Sequence, residues 1–506
     1  MLNPLYDALF SPLIGRQTPF LRLHTGQFIS GDDFHSMIAY AAGALRLAGA
    51  KPGSRVAVQN AKSPEALAIY AATVSIGAVF LPLNTAYTAP ELDYFIGNAT
   101  PCVVICDPTA FTALTPIARQ HGAKLLTLDG ASHGSFADLM ARQPATIAPT
   151  ARSPGDLAAI LYTSGTTGRS KGAMLTHGNL LSNARALARL WQFTAQDVLL
   201  HALPIFHTHG LFVASNVSLL TGGSMIFLPG FDVEAVLQHL SQATTMMGVP
   251  TFYTRMLNAP GFTKTAAAHM RLFVSGSAPL LAETHARFFA RTGHHVLERY
   301  GMTETNMNTS NPYDGVRRAG TVGFALPGVE VKITADGGQV PQGMIGQIEV
   351  RGPNVFVGYW QMPEKTAEDL RADGWFVTGD LGLVDVDGYL QIVGRSKDLI
   401  ISGGYNIYPI EVEALLDAAA GVAESAVIGL PHPDLGEAAF AVLTAKPGKA
   451  VDPAAVLETL RGSLARFKQP RAAVVVADLP RNAMGKVQKA ILRAEFADWF
   501  SDPKDS

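Results

Sequence analysis

Along most of the chain, short runs of consecutive apolar residues alternate with longer stretches of helical periodicity. That alternation predicts a parallel sheet with covering helices, an α/β fold, over roughly the first 390 residues. One unit is explicit. Arg55–Val58 reads as a strand, Ser63 caps a helix with Pro64 at its first position and Glu65 in its first turn, Gly77 stops it, and Ala78–Leu81 returns as a strand. A second unit runs from Val198–Ala202 through a predicted helix near Leu211–Leu220 to Ser224–Leu228. No short-period repeat appears.

The pattern changes after about Gly320. Glu330–Ile333, Gly346–Arg351 and Gly388–Val393 read as strands joined by tight glycine turns, which predicts a β-rich subdomain. Beyond Gly394–Asp398 the pattern is mixed α+β, with helices predicted over Pro409–Leu416 and Pro453–Leu464. In the second helix Asp452 caps, and Val456, Leu457, Leu460 and Leu464 form one apolar face. The boundary falls at Gly394–Asp398, dividing residues 1–394 from a small C-terminal domain over 395–506.

Composition narrows the class. The 506 residues are 48% hydrophobic and 16% charged, as expected of a globular enzyme of more than one domain. A net charge of −2 gives no electrostatic reason to expect nucleic acid or an anionic membrane as partner. The two cysteines, Cys102 and Cys106, share one face of a predicted strand and read as a core pair, not a disulfide framework or metal site. MLNPLYDALF lacks a charged leader and a long apolar run, and no 18-residue apolar span follows, so a cytosolic location is expected.

The most telling segment is TSGTTGRSKG, Thr163–Gly172, which follows the apolar run Leu157–Tyr162 directly. Glycines allow a tight turn and close approach to a ligand; hydroxyls, backbone N–H groups and Lys171 supply donors for phosphate oxygens. A flexible linker has no need of two cations set against a core strand. Nor is this a Walker A loop, since Ser170 stands where the second glycine is required.

Four further segments carry chemistry. In Tyr300–Thr305, Glu304 among threonines suits either a divalent cation beside a phosphate or a capped helix start. Val274–Pro279 is either a surface for a planar base or an ordinary strand-end turn. Asp380, ending GWFVTGD, is placed either to accept from ribose hydroxyls or to close a turn. PRNAMGKVQK, Pro480–Lys489, puts Lys486 after a glycine in a loop that is either functional or merely basic and solvated.

Together YTSGTTGRSKG, PIFHTHG, YGMTET, GWFVTGD, GRSKDLIISGGYNIYP and PRNAMGKVQK, in this order, resemble the adenylate-forming superfamily of acyl-CoA synthetases, luciferases and peptide-synthetase adenylation domains. The resemblance spans essentially the whole chain. It implies an adenylation domain over 1–394 and a mobile C-terminal domain over 395–506, with Lys397 at the hinge. Thr163, Ser164, Gly165, Thr166, Thr167, Gly168 and Lys171 would hold the β- and γ-phosphates of ATP. Ser277, Ala278, Pro279 and Tyr300 would enclose the adenine. Thr303 would contact the α-phosphate, Glu304 would bind Mg²⁺, and Asp380 and Arg395 would hold the ribose. Lys486 would approach the α-phosphate and the substrate carboxylate, His207 would position that carboxylate, and Ser402, Gly403 and Gly404 would face the pantetheine of coenzyme A.

Relatives acting on fatty or aromatic acids usually carry a small residue before the tyrosine of YGMTE; here that position is Arg299. A guanidinium facing an apolar tail would be costly, whereas facing a second carboxylate it makes a charge-assisted pair. An alternative is that Arg299 pairs with Glu298 or ATP and points elsewhere. PIFHTHGLFVASN, MGVPTFYTRML and ERYGMTETNMNTSNPYDG resemble malonyl-CoA synthetases within the superfamily. That resemblance implies malonate as the acid, with methylmalonate tolerated. Thr208 and Met307 would border the carbon between the carboxylates, and Arg255 is a second candidate cation. The nearest alternative is a short- or medium-chain monocarboxylate ligase. A peptide-synthetase adenylation domain is disfavoured by the lack of a carrier domain before Ser506, a conventional NTPase by the missing Walker glycine, and a non-catalytic scaffold by Lys486 and Glu304. As an exposed catalytic lysine, Lys486 is also an expected target for an acetyltransferase and deacetylase.

Overall fold

The computed structural model describes residues 2–163, 170–335, 337–461, 463–482 and 485–500. The chain divides into two compact units. The first comprises residues 1–319, 323–330 and 350–376; the second comprises 320–322, 331–349 and 377–506.

The first unit contains two sheets in which parallel strands predominate. In the six-stranded sheet the order is Lys124–Thr127, Val103–Cys106, Arg55–Gln59, Val79–Pro82, Leu157–Thr163 and Lys171–Thr176, with only the last strand antiparallel. The nine-stranded sheet has the parallel strands Leu297–Met302, Leu272–Ser275, Thr245–Gly248, Val198–His201, Ser224–Phe227 and Pro19–Leu23 at its centre. Antiparallel strands close both of its edges. Central strands such as Val103–Cys106 and Thr245–Gly248 are buried along their whole length, as continuous apolar runs require when both faces are covered. Ser63 caps the helix Pro64–Ser75 by accepting from the Ala66 N–H at 3.1 Å, and Gly77 follows with φ +72°.

Two predicted elements come out differently. The segment near Leu211–Leu220 is a wide π-turn, His209–Ser215, followed by a short helix, Asn216–Thr221. Side chains take the Gly210 carbonyl: His201 Nε2 lies 2.9 Å from it, and Ser215 Oγ donates to it at 2.9 Å. Side chains that take a helix carbonyl compete with its backbone bonding, in keeping with the wider turn. The helix over 453–464 stops at Thr459, whose hydroxyl donates back to the Val456 carbonyl. Its cap is as expected, Asp452 accepting from Ala454 N–H at 3.0 Å, and Val456, Leu460 and Leu464 are buried in the core of the second unit. Cys106 is buried and Cys102 half-buried, both as free thiols.

The second unit carries a five-stranded sheet, ordered Gly338–Gln339, Glu330–Ala335, Gly346–Arg351, Phe376–Val384 and Leu390–Arg395. A second sheet is ordered Tyr405–Ile407, Ile400–Ser402, Gly436–Ala445 and Val422–His432, with Ala472–Val476 parallel to Gly436–Ala445. No helix among the described residues is long and apolar enough to cross a membrane.

Candidate active site

The strands on either side of the glycine-rich segment pair antiparallel, with Tyr162 opposite Gly172 and Thr163 opposite Lys171. Ser164, Gly165, Thr166, Thr167 and Gly168 lie outside the described residues. On the returning strand the Lys171 ammonium stands over the Tyr359 ring, 4.5 Å from its centroid, and 3.6 Å from Asp369. The Tyr359 hydroxyl in turn donates to Glu304 Oε1 at 3.1 Å. Burial, then the neighbouring Glu304 and Asp369 carboxylates, push the Tyr359 hydroxyl well above the ordinary tyrosine range, so it acts as a donor. Tyr359 thus joins Lys171 to the expected metal ligand. Neither Tyr359 nor Asp369 belongs to a motif whose chemistry stands out in sequence.

Glu304 is buried, and its backbone carbonyl accepts from the Phe356 N–H at 2.8 Å. No three His, Cys, Asp or Glu side chains among the described residues come together to hold a metal unaided. One carboxylate linked through Tyr359 to Lys171 nevertheless fits Mg²⁺, which draws most of its ligands from phosphate and water. Thr303 is half-buried in the turn joining Leu297–Met302 to Asn306–Ser310. Within that hairpin a Cβ on Gly301 would meet the Met307 Cα at 2.7 Å, so only glycine lets the two backbones close.

Ser277, Ala278 and Pro279 follow the strand Leu272–Ser275, and Ser277 has φ +71°. Its hydroxyl lies 3.4 Å from His209 Nδ1. Tyr300 is buried on the neighbouring strand. Asn183 and Asn354 both donate to the Met307 carbonyl, at 2.8 and 3.1 Å, fixing that buried residue from the opposite side.

Arg299 is the anomaly of the site. It is 4% exposed, and its Nε and Nη2 have no hydrogen-bond partner. No acidic side chain among the described residues pairs with it, so the alternative of a pair with adjacent Glu298 does not hold there. Burial lowers its pKa to about 9, which still leaves a cation at neutral pH. The guanidinium occupies the place a side chain at Gly276 would take: a Cβ there would lie 2.5 Å from Nη1 and 2.6 Å from Nε. Other polar atoms nearby in the sequence motifs are buried without partners, namely His209 Nε2, Thr208 Oγ1 and Ser275 Oγ. Burial, then the Arg299 charge, hold His209 neutral, well below the ordinary histidine range. His207 is half-buried, whereas Arg255 is exposed on the helix Pro250–Asn258. His209 went unnoticed in the sequence because PIFHTHG offers two histidines and only burial separates them.

In the second unit, Asp380 and Arg395 face each other across an antiparallel pair, with Arg395 Nε donating to Asp380 Oδ1 at 2.7 Å. Asp380 is buried, and Gln347 Nε2 donates to its backbone carbonyl at 2.9 Å. Lys397 lies in the 3₁₀ turn Ser396–Asp398 immediately afterwards. Ser402 is buried, and Gly403 and Gly404, at φ +56° and +82°, form the two-residue turn of a hairpin. Lys486 is exposed; its backbone N–H donates to Asn482 Oδ1 at 3.0 Å.

Comparison with known proteins identifies the family. A family model described as AMP-binding enzyme matches residues 15–360, and one described as AMP-binding enzyme C-terminal domain matches 411–486. The ATP-bound crystal structure of MatB from Rhodopseudomonas palustris superposes with a TM-score of 0.97 at 54% identity, covering 99% of this chain and 100% of that one. Feruloyl-CoA synthase from an Amycolatopsis species is 36% identical, covering 94% of this chain and 95% of its own length. Malonate–CoA ligase from Arabidopsis thaliana is 35% identical, covering 88% of this chain and 78% of its own length. On its fold, its site and these matches, the chain belongs to the AMP-binding enzymes.

Proposed function

We propose that this chain is an acid–thiol ligase that activates malonate with ATP and transfers the malonyl group to coenzyme A, releasing AMP and pyrophosphate. Its curated relatives include ligases for malonate and for ferulate at nearly equal identity, while the MatB structure stands well above both at 54%. The observation that carries malonate is the buried, unpaired guanidinium of Arg299. An apolar or aromatic tail would leave that charge uncompensated, whereas a second carboxylate supplies its partner. Neutral His209 and the Thr208 hydroxyl offer further hydrogen bonds, and Met307 limits bulk at the central carbon, leaving methylmalonate as a secondary substrate. Arg255 is exposed and is the weaker of the two candidate cations.

A carboxylate cannot expel oxide, so its oxygen attacks the α-phosphorus and pyrophosphate leaves; the adenylate then has AMP as leaving group for the thiol. Two anions must meet, and cationic groups stabilise the charge that develops. In the first unit we assign Thr163 to Gly168 and Lys171 to the β- and γ-phosphates, Ser277, Ala278, Pro279 and Tyr300 to the adenine, and Thr303 to the α-phosphate. His207 is assigned to the reacting carboxylate. Glu304, braced by Tyr359, would hold Mg²⁺, which when bound supplies charge neutralisation at the phosphates. In the second unit we assign Asp380 and Arg395 to the ribose, Lys486 to the α-phosphate, Ser402, Gly403 and Gly404 to the pantetheine, and Lys397 to the hinge. Acetylation of exposed Lys486 would remove the charge this step uses. Two free thiols suit a reducing cytosol.

The test is a product analysis with ATP, CoA and a panel of malonate, methylmalonate, succinate, acetate and octanoate. Malonyl-CoA, AMP and pyrophosphate formed in equal amounts are expected. Preference for octanoate or acetate, or release of ADP, would overturn the proposal.

A further inference from the structure

Three acidic side chains of the second unit lie outside every role assigned above. Glu413 and Asp417 are on the helix Pro409–Asp417, and Glu424 is on the adjoining strand Val422–His432. Two of them meet the cations that bracket Lys486 in sequence. Lys489 Nζ lies 2.6 Å from Glu413 Oε1, with both side chains less than one-fifth exposed. Arg481 pairs through Nη2 with Glu424 Oε2. Arg481 also reaches across the turn, its Nη1 donating to the Gly485 carbonyl at 2.8 Å.

Between these pairs the backbone is closed as a hairpin. Arg481 and Val487 form an antiparallel bridge, Gln488 N–H donates to the Pro480 carbonyl at 2.7 Å, and Asn482 N–H donates to the Lys486 carbonyl at 3.0 Å. Glu413 is itself fixed to the sheet, since its Oε1 accepts from the Val427 N–H at 2.7 Å. Each arm of the hairpin therefore ends in an ion pair to the domain body. Partly buried pairs with such additional hydrogen bonds hold geometry better than exposed ones.

We infer that Glu413 and Glu424 are positioning residues for Lys486, acting through Lys489 and Arg481 to fix both arms of the hairpin that carries it. The inference rests on the assignment of Lys486 to the adenylation step. Released from either anchor, the exposed ammonium samples positions displaced from the reacting phosphate, and a displacement of about 1 Å costs roughly 10²-fold in such a step. Transfer to CoA, which has no need of Lys486 at the α-phosphate, is unaffected.

The experiment measures the two half-reactions separately on the full-length protein. Malonate-dependent pyrophosphate exchange reports adenylation, and thioester formation from supplied malonyl-AMP reports transfer. For Glu413→Gln and Glu424→Gln the expected result is a fall in the exchange kcat of ~10- to 10²-fold with transfer changed less than about twofold. The charge-swapped pair Glu424→Arg with Arg481→Glu should recover most of the lost exchange, which a variant that had merely unfolded would not do. Equal loss in both half-reactions, or exchange unchanged in both single variants, overturns the inference. Lys486→Ala serves as the control. If it abolishes exchange while the glutamate variants leave it intact, the anchoring role alone fails; if it leaves exchange intact, the assignment of Lys486 fails and the anchoring role with it.

Discussion

Arg299 and Gly276 form a pair in which each explains the other. The guanidinium occupies the space a side chain at residue 276 would need, so Gly276→Ala drives a methyl group into the cation instead of into backbone. Because the tip of a long side chain can yield, the expected outcome is loss of function with the fold kept. Malonate kcat/KM should fall by ~10- to 10²-fold, while the melting temperature stays within a few degrees. A drop in melting temperature without a change in malonate kcat/KM would contradict this reading. Gly301 is the opposite case. A Cβ there meets the backbone of Asn306 and Met307, which cannot yield, so Gly301→Ala should destabilise the first unit by about 2 kcal/mol or more in denaturant unfolding. Arg299 stands out in sequence because a charged residue occupies a position at which the resemblance leads one to expect a small one. Gly276 and His209 do not, since glycine after a strand and histidine in a loop are ordinary until burial is known.

At the scale of elements, the apolar runs make both parallel sheets legible, because strands covered on both faces have no polar positions to blur them. The π-turn at His209–Ser215 is not legible. Two side chains, His201 and Ser215, meet the Gly210 carbonyl there, a contact that hydrophobic periodicity does not reveal. Nor is Tyr359 legible, since it contacts Glu304 from 55 residues away. Tyr359→Phe removes that donor, and the expected result is a rise in the Mg²⁺ concentration needed for half-maximal adenylation, with the KM for CoA unchanged. An unchanged Mg²⁺ requirement would separate Tyr359 from the metal ligand. On the helix Pro409–Asp417, burial, followed by the charges of Glu413 and Glu424, raises the Asp417 carboxyl to about 7 despite an opposing hydrogen bond from Ser425. Its Oδ1 is buried without a partner. The folded state therefore binds a proton that the unfolded chain releases near pH 4, so this group lowers stability progressively as pH rises from about 4 to 7. Asp417→Asn should gain progressively in melting temperature over the parent protein as pH rises from about 4 to 8. Parallel pH profiles for the two proteins would show that the carboxyl is not perturbed.

For the whole molecule, the order of motifs along the chain conveys the reaction class, and contacts within each unit supply the reasons for individual residues. Lys397→Pro fixes φ within the turn Ser396–Asp398, and it should reduce transfer to CoA more than adenylation if that turn is the hinge. Loss of both half-reactions in equal proportion would remove Lys397 from that role. Within the structure, the choice of acid turns on the buried charge of Arg299. The most direct measurement compares kcat/KM for malonate and butyrate in the parent protein and in Arg299→Met. The parent should favour malonate by ~10⁴-fold, the scale on which a buried polar site rejects an analogue lacking its partner, and Arg299→Met should lose most of that preference through a fall in the malonate value. An Arg299→Met protein that retains the parent kcat/KM for malonate would contradict the account.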